Sequence, residues 1–341
     1  MINRHKSYSL KNHNTFGINV IADEFVEYST SEELVSVLNQ EKLKETKILN
    51  IGSGSNILFL SDFKGTVLHS KISGTVVEEE TDDDVVVSAG AGVIWDDFVL
   101  WCINKGYGGV ENLSNIPGTV GAAAVQNIGA YGTELKDIFH KIEGIFIENS
   151  EIFTFYLPDC EFDYRFSIFK GNLKNKTIIT RLFLKLKKKP LFNIEYEAIK
   201  RELNKHKEEL SLQTIRDTII SIRNSKLPDP EIIGNAGSFF KNPHISDDLF
   251  ANLQKIYPDM PHHSYNYGLG KKYKIPAGWL IEKAGWKGKQ FGNAGVHTEQ
   301  ALVLVNLGNA TGNDILKLSS EIEKDIAEKF GIYLEKEVNV V

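Results

Sequence analysis

Ile116-Pro-Gly-Thr-Val-Gly-Ala-Ala-Ala-Val-Gln-Asn-Ile-Gly-Ala-Tyr-Gly132 concentrates small residues where an ordinary core element would place bulk. Four glycines, Gly118, Gly121, Gly129 and Gly132, allow close backbone approach and positive φ, while Gln126 and Asn127 add amide donors and acceptors. Such a backbone suits contact with a planar heterocycle or a phosphate; a tight surface connection is the alternative for this run taken alone. A second run upstream weighs against that alternative. Gly52-Ser-Gly-Ser-Asn56 lies between two short apolar segments, 48–51 and 57–60, both of which read as strands. A dinucleotide fingerprint needs a third glycine opening a helix, and a P-loop ends in Gly-Lys-Ser/Thr; neither is present. A Gly/Ser loop between strands can still hold a pyrophosphate through consecutive N–H groups and the hydroxyls of Ser53 and Ser55, with a plain hairpin turn as the competing reading.

Composition excludes more than it selects. With 42% hydrophobic and 25% charged residues, a chain of 341 is an ordinary globular one, able to bury about three quarters of its unfolded surface in two or three domains. The net charge is −6, and no basic stripe occurs beyond Lys185-Leu-Lys-Lys-Lys189, read as a solvated strand end, so nucleic acid is not an expected partner. Cys102 and Cys160 lack any paired spacing, so neither a disulfide framework nor a structural zinc site is expected. His262-His263 is the only adjacent histidine pair, and neighbours on a chain point apart, so no metal is expected. Residues 1–14 have no apolar leader core, and no apolar run reaches the roughly 18 residues that span a bilayer. A soluble, cytoplasmic protein, a monomer not bound to membrane, is the expectation.

Local patterns divide the chain into blocks 1–70, 71–216 and 217–330 and a tail, 331–341. In the first, Thr30-Ser-Glu-Glu33 is a capping-box start for a helix through Leu34, Val37 and Leu38, ahead of the 48–51 strand. The second carries strand-like runs at 84–88, 141–148, 151–157 and 177–187; in the last, Leu182, Leu184 and Leu186 alternate with Arg181, Lys185 and Lys187, as in a half-buried strand. A helix from Trp95 to Lys105 carries Phe98, Trp101 and Cys102 on its apolar side and ends at Gly106. This is an α+β pattern with the 116–132 run inside it. The third block follows a linker-like helix and contains a buried strand, 301–305. Its final helix, Asn313 to Phe330, has Ile315, Leu318, Ile322, Ile326 and Phe330 at three/four spacing and Gly331 as C-cap.

The third block also supplies a reactive candidate. Gly234-Asn-Ala-Gly-Ser-Phe-Phe-Lys-Asn-Pro243 sets Ser238 between a small-residue turn and two aromatics. No G-x-S-x-G elbow or His/Asp pair accompanies it, so a proton donor fits better than a hydrolase nucleophile; a turn hydroxyl capping a backbone group is the plainer alternative. This segment joins Asn14-Thr-Phe-Gly-Ile18, the 52–60 stretch, the 116–132 run, Tyr164-Arg165 with Ser167-Ile-Phe-Lys170, Lys226-Leu-Pro-Asp-Pro230 and Leu334-Glu-Lys-Glu-Val338. In this order and over nearly the whole chain, they strongly resemble the UDP-N-acetylenolpyruvoylglucosamine reductases of bacterial cell-wall synthesis.

The resemblance implies a two-part FAD-binding fold of the vanillyl-alcohol-oxidase (PCMH) type, with blocks 1–70 and 71–216 as FAD-binding subdomains. It makes 217–330 an α+β substrate-binding domain and 331–341 a tail returning to the active site. It also implies NADPH as co-substrate, sharing one site in turn with UDP-N-acetylglucosamine enolpyruvate, whose reduction gives UDP-N-acetylmuramate for peptidoglycan. FAD would be held non-covalently, since no His or Cys stands in 52–56. By motif position, Arg165, Ser238 and Glu337 correspond to the catalytic residues. The FAD-binding positions are Gly52, Ser53, Gly54, Ser55 and Asn56, then Pro117, Gly118, Gly121, Ala122, Gln126, Asn127, Gly129, Ala130 and Tyr131. For substrate they are Tyr164, Tyr196, Arg223, Lys226, Asn242 and Lys274, with Tyr265 or Tyr267 stacking on uracil. Tyr196 resembles the tyrosine on the substrate-covering loop of the family's longer subtype. Ala124 departs from the family's usual Pro, which implies a looser turn and somewhat weaker flavin binding. Two other functions stay open on the residues alone: an FAD oxidase of a sugar or hydroxy acid, and a non-catalytic nucleotide-binding module.

Overall fold

The computed structural model describes residues 2–40, 46–206, 209–267 and 270–341. The chain forms two compact units and passes between them repeatedly: the first comprises 1–9, 21–54 and 62–225, the second 10–20, 55–61 and 226–341. Two segments of the expected first block, 10–20 and 55–61, therefore belong to the second unit. Hydrogen bonds explain the first of them: Asn235 N donates to the Thr15 carbonyl and Asn306 Nδ2 to the Phe16 carbonyl, each at 2.9 Å. The boundary expected at 216/217 falls inside the helix Leu212–Asn224, whose Ile215, Ile219 and Ile222 pack with Ile199 in the first unit.

The first unit holds two sheets. One has the order Asn3–Ser9, Ile21–Tyr28, Phe63–Ser70, Ile48–Ile51, with the first pair antiparallel and the rest parallel. The helix Ser31–Leu38 follows Ile21–Tyr28, capped as its sequence requires by Thr30, whose side chain accepts from Glu33 N. It buries Leu34, Val37 and Leu38 with Val26, Tyr28 and Leu68, and with Ile145 and Ile178 of the second sheet. That second sheet is antiparallel throughout, ordered Ile152–Tyr156, Phe139–Phe146, Thr177–Lys187, Asp84–Gly90, Thr75–Glu80.

Thr177–Lys187 runs through the middle of this sheet, and its expected alternation survives only at the far end. Phe183 is buried along with Leu182 and Leu184, because Lys141 covers its ring with the ammonium 4.1 Å from the centroid. Beyond it, Lys185 and Lys187 pair with Asp84, Lys188 with Glu80 and Lys189 with Asp83. The basic run is thus matched to the acidic residues across the hairpin.

Against the sheet lie the helix Trp95–Asn104 and the short helix Val120–Gln126. Ala124 is fully buried inside the latter. The looser turn inferred there is corrected: no turn exists at that position, and alanine is the residue best suited to a helix.

The second unit pairs Gly234–Ser238, Val303–Asn306, Ala294–Val296 and Gln290–Phe291 in one antiparallel sheet, and His244–Ser246, Gly270–Lys274 and His263–Tyr267 in another. Ile57–Leu58 and Asn339–Val340 form a parallel pair. The helix Gly312–Phe330 buries the five apolar residues its spacing predicts; Thr311 caps its start and Gly331, at φ +67°, its end. Gly312 is required by packing, since a Cβ there would overlap the Phe59 carbonyl oxygen.

Candidate active site

The strands flanking the 52–56 loop do not pair with each other: Ile48–Ile51 joins Phe63–Ser70 in the first unit, and Ile57–Leu58 joins Asn339–Val340 in the second. The hairpin reading is thereby excluded. Gly52 lies so close to Thr119 that a Cβ would stand 2.5 Å from its Oγ1, so only glycine lets the two runs meet. Ser53 Oγ is buried with no hydrogen-bond partner among the described residues, an arrangement that costs free energy unless a ligand completes it. Val120 N and Gly121 N donate to the Val93 and Ala91 carbonyls at 2.9 and 3.0 Å, and a Cβ on Gly121 would come 2.9 Å from that of Ala91. These glycines let the 52–56 and 116–132 runs pack closely against Thr119 and Ala91, and leave the Ser53 hydroxyl a buried donor with no partner among the described residues.

The remaining residues of the long run divide into exposed contacts and scaffolding. Pro117 is exposed, and Ala122, Gln126, Ala130 and Tyr131 are half-buried, so each retains an open surface; Gly118 is buried at φ +136°. Asn127 departs from expectation. Its side chain is fully buried, with Nδ2 donating to Glu134 Oε2 and the Asp163 carbonyl and Oδ1 accepting from Lys136 N, all within 3.0 Å. Left-handed at φ 42°, it ends the Val120–Gln126 helix, so its amide builds the cradle and does not face a ligand. Asn56 is similar: it falls in the second unit, where Nδ2 donates 3.2 Å to the Glu337 carbonyl.

Arg165 occupies a two-residue turn between Asp163 and Phe166, which exchange backbone hydrogen bonds of 3.1 and 3.0 Å. Its φ of +54° is unusual for arginine and costs on the order of 1 kcal/mol. Neighbours hold it there: Lys170 Nζ donates to its carbonyl at 3.0 Å, and Ser167 Oγ ties the next turn to the Val125 carbonyl at 2.6 Å. The guanidinium donates 2.7 Å to the Gly129 carbonyl and lies 5.6 Å from the Tyr164 ring centroid. A cation is thus fixed against the glycine run.

Tyr131 and Gly132 form the turn of a small hairpin, Gly129–Ala130 with Thr133–Glu134, both at positive φ. The Tyr131 ring meets Tyr196 edge-on, 5.3 Å between centroids, and burial pushes its phenol above the usual tyrosine range while the Arg223 charge opposes this. Arg223 Nε donates to the Asn115 carbonyl at 3.0 Å, and burial depresses its guanidinium. Asp96, which Arg216 grips through two hydrogen bonds of 2.7 and 2.6 Å, stays below the usual carboxylate range despite burial. Sequence reasoning missed Asp96, Arg216, Asn112 and Asn193, and held Ser167 and Lys170 only as members of a motif; Asn112 lies in Val110-Glu-Asn-Leu-Ser114, five residues that are all buried.

In the second unit, Ser238 and Glu337 come together. Ser238 pairs with Val303 after a bulge at Ala236-Gly237, where Gly237 adopts φ +65°. Its half-buried hydroxyl has no hydrogen-bond partner among the described residues, so it caps no backbone group there. Beside it runs the tail: Glu337 N donates to the Phe239 carbonyl, Lys241 N to the Glu335 carbonyl, both at 2.8 Å, and Phe240 bridges Lys336. Ion pairs Lys241–Glu335 and Lys336–Glu323 fasten it further. Glu337 is half-buried rather than an exposed tail carboxylate.

The expected substrate residues of this unit are more mixed. Lys226 is exposed and Lys274 half-buried on the central strand between His244 and His263. Asn242 Oδ1 accepts from Ala277 N at 2.9 Å, leaving its amide nitrogen without a partner among the described residues. Tyr265 donates its hydroxyl to, or accepts from, His244 Nδ1 at 2.6 Å. The Tyr267 side chain lies outside the described residues.

A mixed α+β unit with two sheets, a glycine cradle and a fixed arginine, joined to a second unit presenting a serine and a carboxylate, defines a flavin-dependent oxidoreductase. Residues 22–155 match the family described as FAD binding domain, and 229–341 that described as UDP-N-acetylenolpyruvoylglucosamine reductase, C-terminal domain. The UDP-N-acetylenolpyruvoylglucosamine reductase of Bacteroides fragilis is 47% identical, covering 98% of this chain and 99% of its own. That of Flavobacterium johnsoniae is 48% identical, covering 98% of each. The crystal structure of UDP-N-acetylenolpyruvylglucosamine reductase from Thermus caldophilus superposes with a TM-score of 0.66 at 24% identity, over 100% of this chain and 98% of that one, and shows the shared fold. The chain belongs to the UDP-N-acetylenolpyruvoylglucosamine reductase family.

Proposed function

We propose that the chain catalyses the NADPH-dependent, FAD-mediated reduction of UDP-N-acetylglucosamine enolpyruvate to UDP-N-acetylmuramate, a step in peptidoglycan precursor synthesis. FAD, when bound and reduced by NADPH, would supply a hydride for the terminal vinyl carbon. The negative charge left on the adjacent carbon and its carboxylate needs a fixed cation, the role of Arg165, whose strained turn is consistent with it. The Ser238 hydroxyl gives that carbon a proton, completing the addition of H⁻ and H⁺ across the double bond; a strongly basic carbanion makes even a serine an adequate acid at short range. Glu337, one strand over, orients or protonates the developing enol. Gly52, Ser53, Gly54, Ser55 and the 117–131 cradle hold the FAD, within two subdomains that correspond to the two sheets of the first unit. Tyr164, Tyr196, Arg223, Lys226, Asn242 and Lys274 receive the substrate, the cations and amide meeting its pyrophosphate.

The observation that supports this most is the Ser238 hydroxyl, without a hydrogen-bond partner among the described residues, beside the tail that carries Glu337. An FAD oxidase of a sugar or hydroxy acid is not favoured, since the matches extend over the reductase's own C-terminal domain. We take the protein to act as a monomer in the cytoplasm; among the described residues no helix is long and apolar enough to cross a membrane. Purified protein should carry FAD that denaturation releases, and should oxidise NADPH stoichiometrically with added enolpyruvyl-UDP-N-acetylglucosamine. Steady peroxide formation from an alcohol, with no response to the enolpyruvyl ether, would overturn the reading.

A further inference from the structure

We infer that Asn112 and Asn193 are positioning residues that fasten the loop carrying Tyr196 to the Tyr131-Gly132 turn, and so fix where Tyr196 stands to meet the substrate. This rests on the reading of Tyr196 as a substrate contact. Asn112 is 1% exposed, and its Nδ2 donates to carbonyls of two separate segments: Tyr131 at 3.0 Å and Asn193 at 2.8 Å. Its Oδ1 is buried with no hydrogen-bond partner among the described residues. Turning the amide over would set that oxygen against two carbonyl oxygens, so the orientation is dictated by the bridge even though an acceptor is left unsatisfied. Asn193 closes the clasp from the other side, its Nδ2 donating to the Gly132 carbonyl at 3.1 Å, with Thr133 Oγ1 at 3.4 Å. A Cβ on Gly132 would stand 3.3 Å from that nitrogen, so glycine at the turn leaves the room the clasp uses.

The clasp holds both partners of one aromatic contact. Tyr131 is kept at φ 49° by a turn whose two carbonyls are both engaged, and Tyr196, 52% exposed and three residues beyond Asn193, rests edge-on against the Tyr131 ring. Phe192 and Ile194 pack the same loop against the Ile199, Ile215 and Ile219 cluster, and the clasp adds the polar tie that sets it against the turn. Neither asparagine is asked to touch substrate, flavin or the reacting atoms; their part is geometric.

The test compares Asn193→Ala, Tyr196→Ala and the double variant by stopped-flow, reading NADPH-driven flavin bleaching and its reoxidation by enolpyruvyl-UDP-N-acetylglucosamine as separate half-reactions. We expect Asn193→Ala to bleach within about twofold of wild type while the substrate concentration for half-maximal reoxidation rises about tenfold, the size of one net hydrogen bond. In the Tyr196→Ala background the same substitution should change nothing further. Asn112→Asp, which keeps the shape but sets a carboxylate against two carbonyls, should reproduce the split, and thermal melts will show that Asn193→Ala remains folded. An additive double variant, or an equal loss in both half-reactions, overturns the clasp. A Tyr196→Ala enzyme with wild-type reoxidation overturns the role of Tyr196 itself, whatever the asparagines do.

Discussion

Ser53 and Gly52 make different demands on the same loop. A methyl at Gly52 would collide with Thr119 Oγ1, whereas Ser53→Ala removes only a hydroxyl that the protein leaves unbonded among its described residues. Ser53→Ala should weaken FAD binding about fivefold to tenfold in a fluorescence titration of the apoprotein and leave folding stability unchanged or slightly raised, because a buried orphan disappears. Unchanged affinity would mean that the hydroxyl does not reach the cofactor. Gly52→Ala should abolish tight FAD binding outright. The glycines and the flavin-binding character were legible because backbone freedom and small size are written in the residue itself. Asn127 and Asn56 were misread because an amide's partners are chosen by the fold: the Asp163 carbonyl lies 36 positions from Asn127, and the Glu337 carbonyl 281 from Asn56.

Elements with strong periodicity and caps were legible nearly to their ends. The helix expected from Asn313 begins one residue earlier at Gly312, and the one expected through Lys105 ends at Asn104. Strands defined by partners remote in sequence were less so: the expected 57–60 strand is regular only over Ile57–Leu58, and its partner is Asn339–Val340. The short helix inside the glycine run was not foreseen, since its buried face is four small residues, Val120, Gly121, Ala123 and Ala124, with no bulk to mark a period. Gly312 gives the sharpest test at this scale. Gly312→Ala adds a good helix former yet forces a methyl onto the Phe59 carbonyl, so urea denaturation should show a loss of about 2 kcal/mol or more. Thr311→Ala, which removes the cap of the same helix, should cost about 1 kcal/mol. A stabilised Gly312→Ala protein would mean that propensity outweighs packing there.

Across the whole molecule, acid should begin to destabilise below the ordinary imidazole range. His69 is buried beside Glu27, and although that carboxylate favours the imidazolium, burial and Lys71 prevail and hold its pKa below the ordinary 6.5. The unfolded chain therefore takes up the proton first as pH falls below about 6.5, and stability declines from there down to the folded pKa. Asp96, also depressed, adds a second decline at lower pH, below the ordinary carboxylate value of 3.8. Urea midpoints between pH 7.5 and 5 should fall for the wild type and flatten for His69→Gln; an identical slope in both would remove His69 as the cause. The division into two interleaved units was not legible, because segments 10–20 and 55–61 join the second unit through contacts that no local pattern announces. The proton-donor role proposed for Ser238 is tested most directly by stopped-flow on Ser238→Ala: NADPH should bleach the bound flavin at close to the wild-type rate while reoxidation by the enolpyruvyl substrate falls at least about a hundredfold. Equal loss in both half-reactions, or wild-type reoxidation, would contradict the account.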